Sequence, residues 1–124
     1  MHFEESILIR FVLKRAFRVN IPGVGHLARL LHRQELTPYL RTNLNKKWGS
    51  VAFNADFRQH TDQIILRTGE YEVEVSAALK ASLGPSEVFW DIGANTGYHS
   101  IIIKNSIPST QVVSFEPNPE TLFR

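Results

Sequence analysis

An acidic residue followed by a glycine-containing loop is the pattern of this sequence that most directly indicates a ligand-binding site. Residues 91–97 read Asp-Ile-Gly-Ala-Asn-Thr-Gly. Gly93 permits a tight turn, and Gly97 lets the backbone approach both a ligand and the following helix. Amides at a helix start favour a carboxylate-bearing ligand, whereas Asp91 can accept hydrogen bonds from an ammonium group or from water. The loop is therefore a candidate ligand-binding element.

A second acid, Glu116, follows the next apolar segment, 25 positions after Asp91. A carboxylate at the end of a strand can bind both hydroxyls of a ribose. The pattern therefore offers an acid for an amino group, loop amides for a carboxylate and an acid for a ribose. S-adenosylmethionine (SAM) carries all three groups, and the pattern predicts SAM as the cofactor.

The spacing of the glycines distinguishes SAM from other cofactors. A dinucleotide fingerprint has the form G-x-G-x-x-G, whereas here Asp91 precedes Gly93 and the middle glycine is missing. No Gly-Lys-Ser/Thr follows, so the loop is not a P-loop. The spacing favours SAM, and an NAD-type oxidoreductase is the alternative. A further alternative is that Asp91 only caps the helix.

Other polar residues near the loop leave two interpretations open. His99 could face the ligand, or it could be a solvated or core histidine. Tyr71 and Glu72 could reach over the cofactor, or they could form an exposed first helical turn. Asn118 could lie near the adenine or make an Asx turn. None of these patterns identifies a general base, so the catalytic residue is unknown from the sequence.

The elements that must position the loop follow from the apolar pattern. Residues 88–90 and 112–115 are predicted strands, and residues 98–105 are a predicted helix. This β–loop–α–β order predicts an α/β fold that opens a doubly wound parallel sheet. A further helix is predicted to begin at residue 120. Because such sheets usually have about five or more strands, we expect the chain to be the N-terminal part of a longer protein.

The segments before residue 88 have a different pattern. Helices are predicted over residues 4–18, from Val24 to about residue 34, and over residues 70–82. Residues 50–57 and 63–68 are predicted strands of a hairpin, with a turn at 58–62. The predicted domain organisation has three parts: a basic helical segment at 1–47, a β-hairpin lead-in at 48–69, and the start of an incomplete SAM-binding domain at 70–124.

Composition excludes some classes of function. Hydrophobic residues make up 43% of the 124 residues, which is typical of a globular chain. The chain has no cysteine, and its five histidines lack a metal-ligand spacing, so we expect no disulfide and no metal site. No apolar run is long enough to span a bilayer, and we expect a cytoplasmic protein without a membrane span.

The charge is distributed unevenly along the chain. Residues 1–47 hold nine basic and three acidic residues. This basic head could bind an anionic partner, but solvated faces of amphipathic helices are the simpler interpretation. No nucleic-acid partner is expected, because the basic residues are spread out without interleaved aromatic residues.

Three segments of the sequence occur in a specific order: a Gly-Glu-Tyr-Glu lead-in at 69–72, the stretch Val-Phe-Trp-Asp-Ile-Gly-Ala-Asn-Thr-Gly-Tyr-His-Ser at 88–100, and Val-Ser-Phe-Glu-Pro-Asn-Pro at 113–119. Together they resemble the FkbM-type SAM-dependent methyltransferases. The resemblance covers about residues 66–124, and it is specific in the order of the three motifs.

The resemblance implies a class I methyltransferase with a Rossmann-like sheet, which transfers a methyl group to a hydroxyl of a sugar or another small metabolite. The acceptor would be a small molecule or a glycan. An inactive remnant that acts only as a binding module is the other alternative. The resemblance assigns Glu116 to the ribose, with Pro117 and Asn118 beside the adenosine. The residues that would line the methionine end of SAM are Asp91, Gly93, Ala94, Asn95 and Gly97.

Overall fold

The computed structural model describes residues 3–32 and 39–122, and these residues form a mixed α/β structure. The chain divides into two compact units: unit 1 holds residues 1–45 and 52–70, and unit 2 holds residues 46–51 and 71–124. In chain order the elements are α1 (Phe3–Arg18), α2 (Val24–His32), β1 (Tyr39–Asn43), a 3₁₀ turn (Lys46–Trp48), β2 (Ala52–Asp56), α3 (His60–Thr68), α4 (Val73–Ser82), β3 (Val88–Ile92), α5 (Tyr98–Ser106), β4 (Gln111–Phe115) and α6 (Pro119–Leu122).

Unit 1 packs the helices α1, α2 and α3 with the antiparallel pair β1–β2. Leu13 and Phe17 of α1 are buried and lie one helical turn apart. Asn20 and Gly23 adopt positive φ angles of 54° and 78°, which end α1 and allow the chain to turn into α2. The predicted first helix is thereby confirmed. The second is confirmed as far as His32, because residues 33–34 lie outside the described residues.

The predicted hairpin between residues 50–57 and 63–68 is wrong. Residues 63–68 belong to helix α3, and β2 pairs instead with β1, with Leu40 opposite Ala55. A short apolar run does not by itself distinguish a strand from a helix. The helical spacing decides here, because it brings Asp62, Ile65 and Leu66 to one buried face. Gly69, at φ 77°, then ends the helix, and its N–H donates to the Ile65 carbonyl.

Unit 2 contains a parallel strand pair joined by a helix. β3 and β4 pair in parallel, with Val88 opposite Gln111 and Ile92 opposite Phe115, and α5 forms the crossover. The predicted strands and the helix at 98–105 are confirmed, and α4 begins at Val73, three residues later than predicted. The described residues hold one parallel and one antiparallel strand pair, so the α/β class is confirmed. A larger doubly wound sheet stays a prediction.

The two faces of the β3–β4 sheet differ in their surroundings. On one face Asp91 and Ser114 meet Ser100 of α5, and Ile102 and Ile103 of the same helix are fully buried. On the other face, alternate residues of both strands remain exposed. This apolar face consists of Val88, Trp90, Ile92, Val113 and Phe115.

After β4 the chain enters the short helix α6, which agrees with the helix predicted from residue 120 as far as Leu122. Residues 123–124 lie outside the described residues. None of the helices within residues 3–32 and 39–122 has both the length and the apolar character that a bilayer crossing requires.

Candidate functional site

The glycine loop, residues 93–97, connects the end of β3 to the start of α5. Gly93 and Gly97 adopt φ angles of 79° and 76°, and Asn95 between them also has a positive φ, 49°. A Cβ atom built at Gly93 or Gly97 would meet no other atom within 4 Å. Glycine is therefore required at both positions by the backbone conformation, and both α-carbons face open space that a ligand can enter.

Most amides of the loop are already engaged. The N–H groups of Gly93 and Ala94 both donate to the Phe115 carbonyl at the end of β4, at 2.8 and 3.0 Å. The N–H of Gly97 donates to the Ala94 carbonyl at 2.8 Å. The sequence suggests these groups as donors to an anionic ligand. In the structure they instead hold the loop against the neighbouring strand.

Asp91 lies under the first turn of α5 with 9% of its surface exposed. Its Oδ2 accepts hydrogen bonds from the Ser100 N–H at 3.2 Å and from the Ser100 hydroxyl at 2.5 Å, and that hydroxyl also lies 2.6 Å from the Ser114 hydroxyl. Gly97, the residue before α5, has no side chain to cap the helix. Asp91 thus supplies the cap from β3, which is the role that the sequence leaves open as an alternative.

Glu116 joins the loop to the end of β4. Its Oε2 accepts the Asn95 N–H and its Oε1 accepts the Asn118 N–H, each at 2.8 Å. The Asn118 side chain in turn accepts the Glu120 N–H at 3.0 Å, which is the Asx-turn alternative, and Pro117 is exposed. Each carboxylate oxygen retains a lone pair for a further donor. Glu116 therefore orders the loop and keeps acceptor capacity for a ligand.

The two acids of the site have no cationic partner among the residues that the structure describes. Within residues 3–32 and 39–122, no lysine or arginine pairs with Asp91 or Glu116. Lys104 is the only lysine or arginine between them in the sequence, and its Nζ donates to the carbonyls of Pro108 and Thr110. Within the described ranges, the donors to these two acids are amides and a hydroxyl.

A second polar cluster lies just after the loop. His99 of α5 places Nε2 at 3.2 Å from Glu72 Oε2 and Nδ1 at 3.3 Å from the Ser76 hydroxyl. The Tyr98 hydroxyl accepts the Tyr71 N–H at 2.8 Å, so the chain before α4 is bound to α5 at two neighbouring positions. His99, Glu72 and Tyr71, which the sequence leaves open, are thereby brought together.

The environment of this cluster limits its chemistry. Ser76 is fully buried, so the Ser–His–Glu order is not a nucleophilic triad that a substrate could reach. Burial first, and then the adjacent Glu72 carboxylate, raise the pKa of the Tyr71 phenol above its ordinary value. Glu72 itself has a positive φ of 44°, an uncommon conformation for a non-glycine residue. The cluster can hold or move a proton at His99, whose side chain is 19% exposed.

Sequence reasoning locates the loop residues but misses their supporting groups. Ser100 and Ser114 connect Asp91 to α5 and β4, and Ser76 binds His99. A small hydroxyl residue inside a predicted helix or strand is the signal that was available for each of them. In the described part of the chain, no group of three or more histidine, aspartate or glutamate side chains is arranged to hold a metal ion.

Comparisons of this chain with protein-family models, with curated proteins and with solved structures found no match.

Proposed function

We propose that this chain carries the part of a SAM site that binds the methionine and ribose of the cofactor, within a class I, Rossmann-like methyltransferase of the FkbM type. The observation that carries the proposal is Glu116, an acid at the end of β4 that orders the glycine loop and has no cationic partner among the described residues. The FkbM-like order of motifs in the sequence supports the same interpretation.

Electrostatics favours SAM over a dinucleotide. SAM carries a sulfonium and an ammonium group, whereas the pyrophosphate of a dinucleotide is anionic. Asp91 and Glu116 place two acidic side chains at this end of the strand pair, and no lysine or arginine within residues 3–32 and 39–122 pairs with either of them. A cationic ligand is therefore attracted where a pyrophosphate is repelled.

The residues present also fit the shape of the cofactor. Gly93 and Gly97 border open space that a Cβ would partly fill, so the backbone can come close to the methionine end of the ligand. Glu116 offers one remaining lone pair on each oxygen to the two ribose hydroxyls. Ala94, Asn95, Pro117 and Asn118 complete the proposed binding set.

When bound, SAM supplies an electrophilic methyl group, which an acceptor hydroxyl attacks as the carbon–sulfur bond breaks. The contribution of the protein is then to orient the two reactants and to remove the hydroxyl proton. His99, oriented by Glu72 and Ser76, is the group of this cluster that can hold a proton. The proposed acceptor is a hydroxyl of a sugar or other small metabolite.

Isothermal titration of the protein with SAM and with S-adenosylhomocysteine tests the proposal. We expect binding of both, and weaker binding by Glu116→Gln than by the control Glu74→Gln, which alters an exposed acid in the first turn of α4. Thermal stabilisation by NAD and not by SAM would instead identify an oxidoreductase. If the protein binds neither SAM nor S-adenosylhomocysteine, the proposed SAM site is contradicted.

A further inference from the structure

Helix α1 is apolar on two opposite sides. Leu13 and Phe17 face the interior of unit 1 and are buried. The outer face of α1, which we define as Ile7, Leu8, Phe11, Val12 and Arg15, points away from that interior, and Leu8 and Phe11 are 64% and 68% exposed. The spacing of three, four and seven residues places these side chains on one helical stripe.

Further apolar side chains are exposed beyond α1. Val19 and Ile21, in the turn after α1, are 60% and 50% exposed, and Leu27 and Leu30 of α2 are also exposed. A soluble surface usually carries apolar residues singly, whereas contiguous apolar stripes mark an interaction site. Helices α1 and α2 thus expose apolar side chains that are not part of the buried core of unit 1.

The charge on the same two helices indicates what covers this surface. The sequences of α1 and α2 contain five arginines and lysines against two glutamates. Arg15 of the outer face and Arg18, three residues later, are exposed, and neither forms an ion pair with a described residue. A second copy of the chain would bring two positive faces together, whereas an anionic surface complements them.

We infer that the outer face of α1 docks on an anionic lipid bilayer surface. An amphipathic helix lies in the plane of the interface, with its apolar side chains among the acyl chains and its basic side chains at the headgroups. Leu8 and Phe11 insert, and Arg15 and Arg18 bind the lipid phosphates. This peripheral contact needs no spanning helix, and it is independent of the SAM site in unit 2.

Flotation of the full chain with lipid vesicles tests the inference. One set contains phosphatidylcholine alone, and the other contains three parts of phosphatidylcholine to one part of phosphatidylglycerol. We expect flotation with the anionic vesicles only, and less flotation as salt is added, because salt screens the arginine–phosphate attraction.

Two double variants separate the apolar and the charged contributions. Arg15→Ala with Arg18→Ala should weaken binding roughly twentyfold, since each basic residue at an anionic surface contributes about a fivefold factor. Leu8→Ser with Phe11→Ser should weaken it at least about tenfold. The matched controls Lys80→Ala and Val75→Ser alter exposed residues of α4 and should bind as the parent chain does.

Equal flotation with neutral and anionic vesicles would overturn the inference. A loss of binding by the control variants as large as that of the α1 variants would also overturn it. Absence of flotation would overturn it as well. In that case, sedimentation showing a dimer that Leu8→Ser with Phe11→Ser dissociates would identify a second copy as the occupant. Circular dichroism of each variant establishes that the exposed substitutions leave the fold intact.

Discussion

The two units use their carboxylates in opposite ways. In unit 1, Asp56 is fully buried, and its two oxygens accept hydrogen bonds from the Arg58 guanidinium at 2.7 to 3.2 Å. In unit 2, Asp91 and Glu116 accept hydrogen bonds from amides and hydroxyls, and no described lysine or arginine pairs with them.

This difference distinguishes carboxylates that stabilise the fold from carboxylates that can bind a ligand. A buried carboxylate beside an arginine has its charge neutralised locally, so it stabilises its own unit and offers nothing to a ligand. A carboxylate held by neutral donors keeps its negative charge and is oriented by those donors. Asp91 and Glu116 belong to the second kind, which is why they are candidates for binding a cationic cofactor.

The largest expected effect concerns the acids of unit 1. Asp56→Asn should lower the free energy of unfolding by about 3 kcal/mol, because it removes the buried charge that accepts the Arg58 N–H and guanidinium. Asp91→Asn should cost about 1 kcal/mol, because an amide oxygen can still accept from Ser100. Urea unfolding of both variants measures the difference. Equal losses would contradict the separation between the two kinds of carboxylate.

The second prediction concerns ligand binding by unit 2. Glu116→Gln should weaken the binding of S-adenosylhomocysteine about fiftyfold, or ~2.3 kcal/mol, because it removes the charge that accepts the ribose hydroxyls. Isothermal titration measures this loss, with Glu74→Gln as the control. Asp56→Asn, measured at a temperature where it remains folded, should keep its affinity. An equally large loss in that variant would mean that the effect of Glu116→Gln arises from stability.

The third prediction compares one glycine from each unit. Gly69 and Gly97 have nearly the same φ, 77° and 76°, but a Cβ at Gly69 would lie 3.1 Å from the Asn45 backbone nitrogen, whereas one at Gly97 meets nothing within 4 Å. Gly97→Ala should cost about 1 kcal/mol from the backbone conformation alone. Gly69→Ala should cost about 2 kcal/mol, because crowding is added.

Ligand binding should reverse the order of the two glycine variants. The new methyl group of Gly97→Ala lies in the open space beside the glycine loop, so S-adenosylhomocysteine affinity should fall. Gly69→Ala should leave that affinity unchanged. Thermal unfolding with and without the ligand measures both effects, and an unchanged ligand-induced stabilisation in Gly97→Ala would place the ligand elsewhere.

Local signals explain how much of the fold was predictable. Local residues mark where β3, α5 and β4 begin and end. Gly93 and Gly97 mark the loop, and Glu116 follows the second strand. The strand β1 was missed, although its alternation of buried Leu40 and Thr42 with exposed neighbours has the period of a strand. Helix α3 was mistaken for a strand because its apolar residues are consecutive.

Interactions between distant residues explain what was not predictable in the candidate site. The residue types at 91–97 and 116 identify a loop and an acid, but they do not reveal that the loop amides donate to Phe115. His99 and Glu72 are 27 positions apart, and only the packing of α4 on α5 brings them within 3.2 Å. Such pairs depend on tertiary structure, which a periodic pattern does not encode.

The smallest effect concerns Glu72 of unit 2, which lies beside both His99 and Tyr71, and tests whether its charge acts on the Tyr71 phenol. Burial and the Glu72 carboxylate raise the pKa of Tyr71. The raised value means that the folded state favours the neutral phenol. This contribution to stability is present below the ordinary tyrosine pKa of about 10 and is lost as the pH rises through the higher folded value.

Glu72→Gln removes the charge but leaves the burial, so it should lower the pKa of Tyr71 part of the way towards its ordinary value. Ultraviolet absorbance of the tyrosinate during an alkaline titration measures this pKa, and Tyr71→Phe identifies which of the three tyrosines contributes the signal. Glu74→Gln is the matched control. If Glu72→Gln leaves the titration unchanged, solvent already screens this acid, and burial alone accounts for the raised pKa.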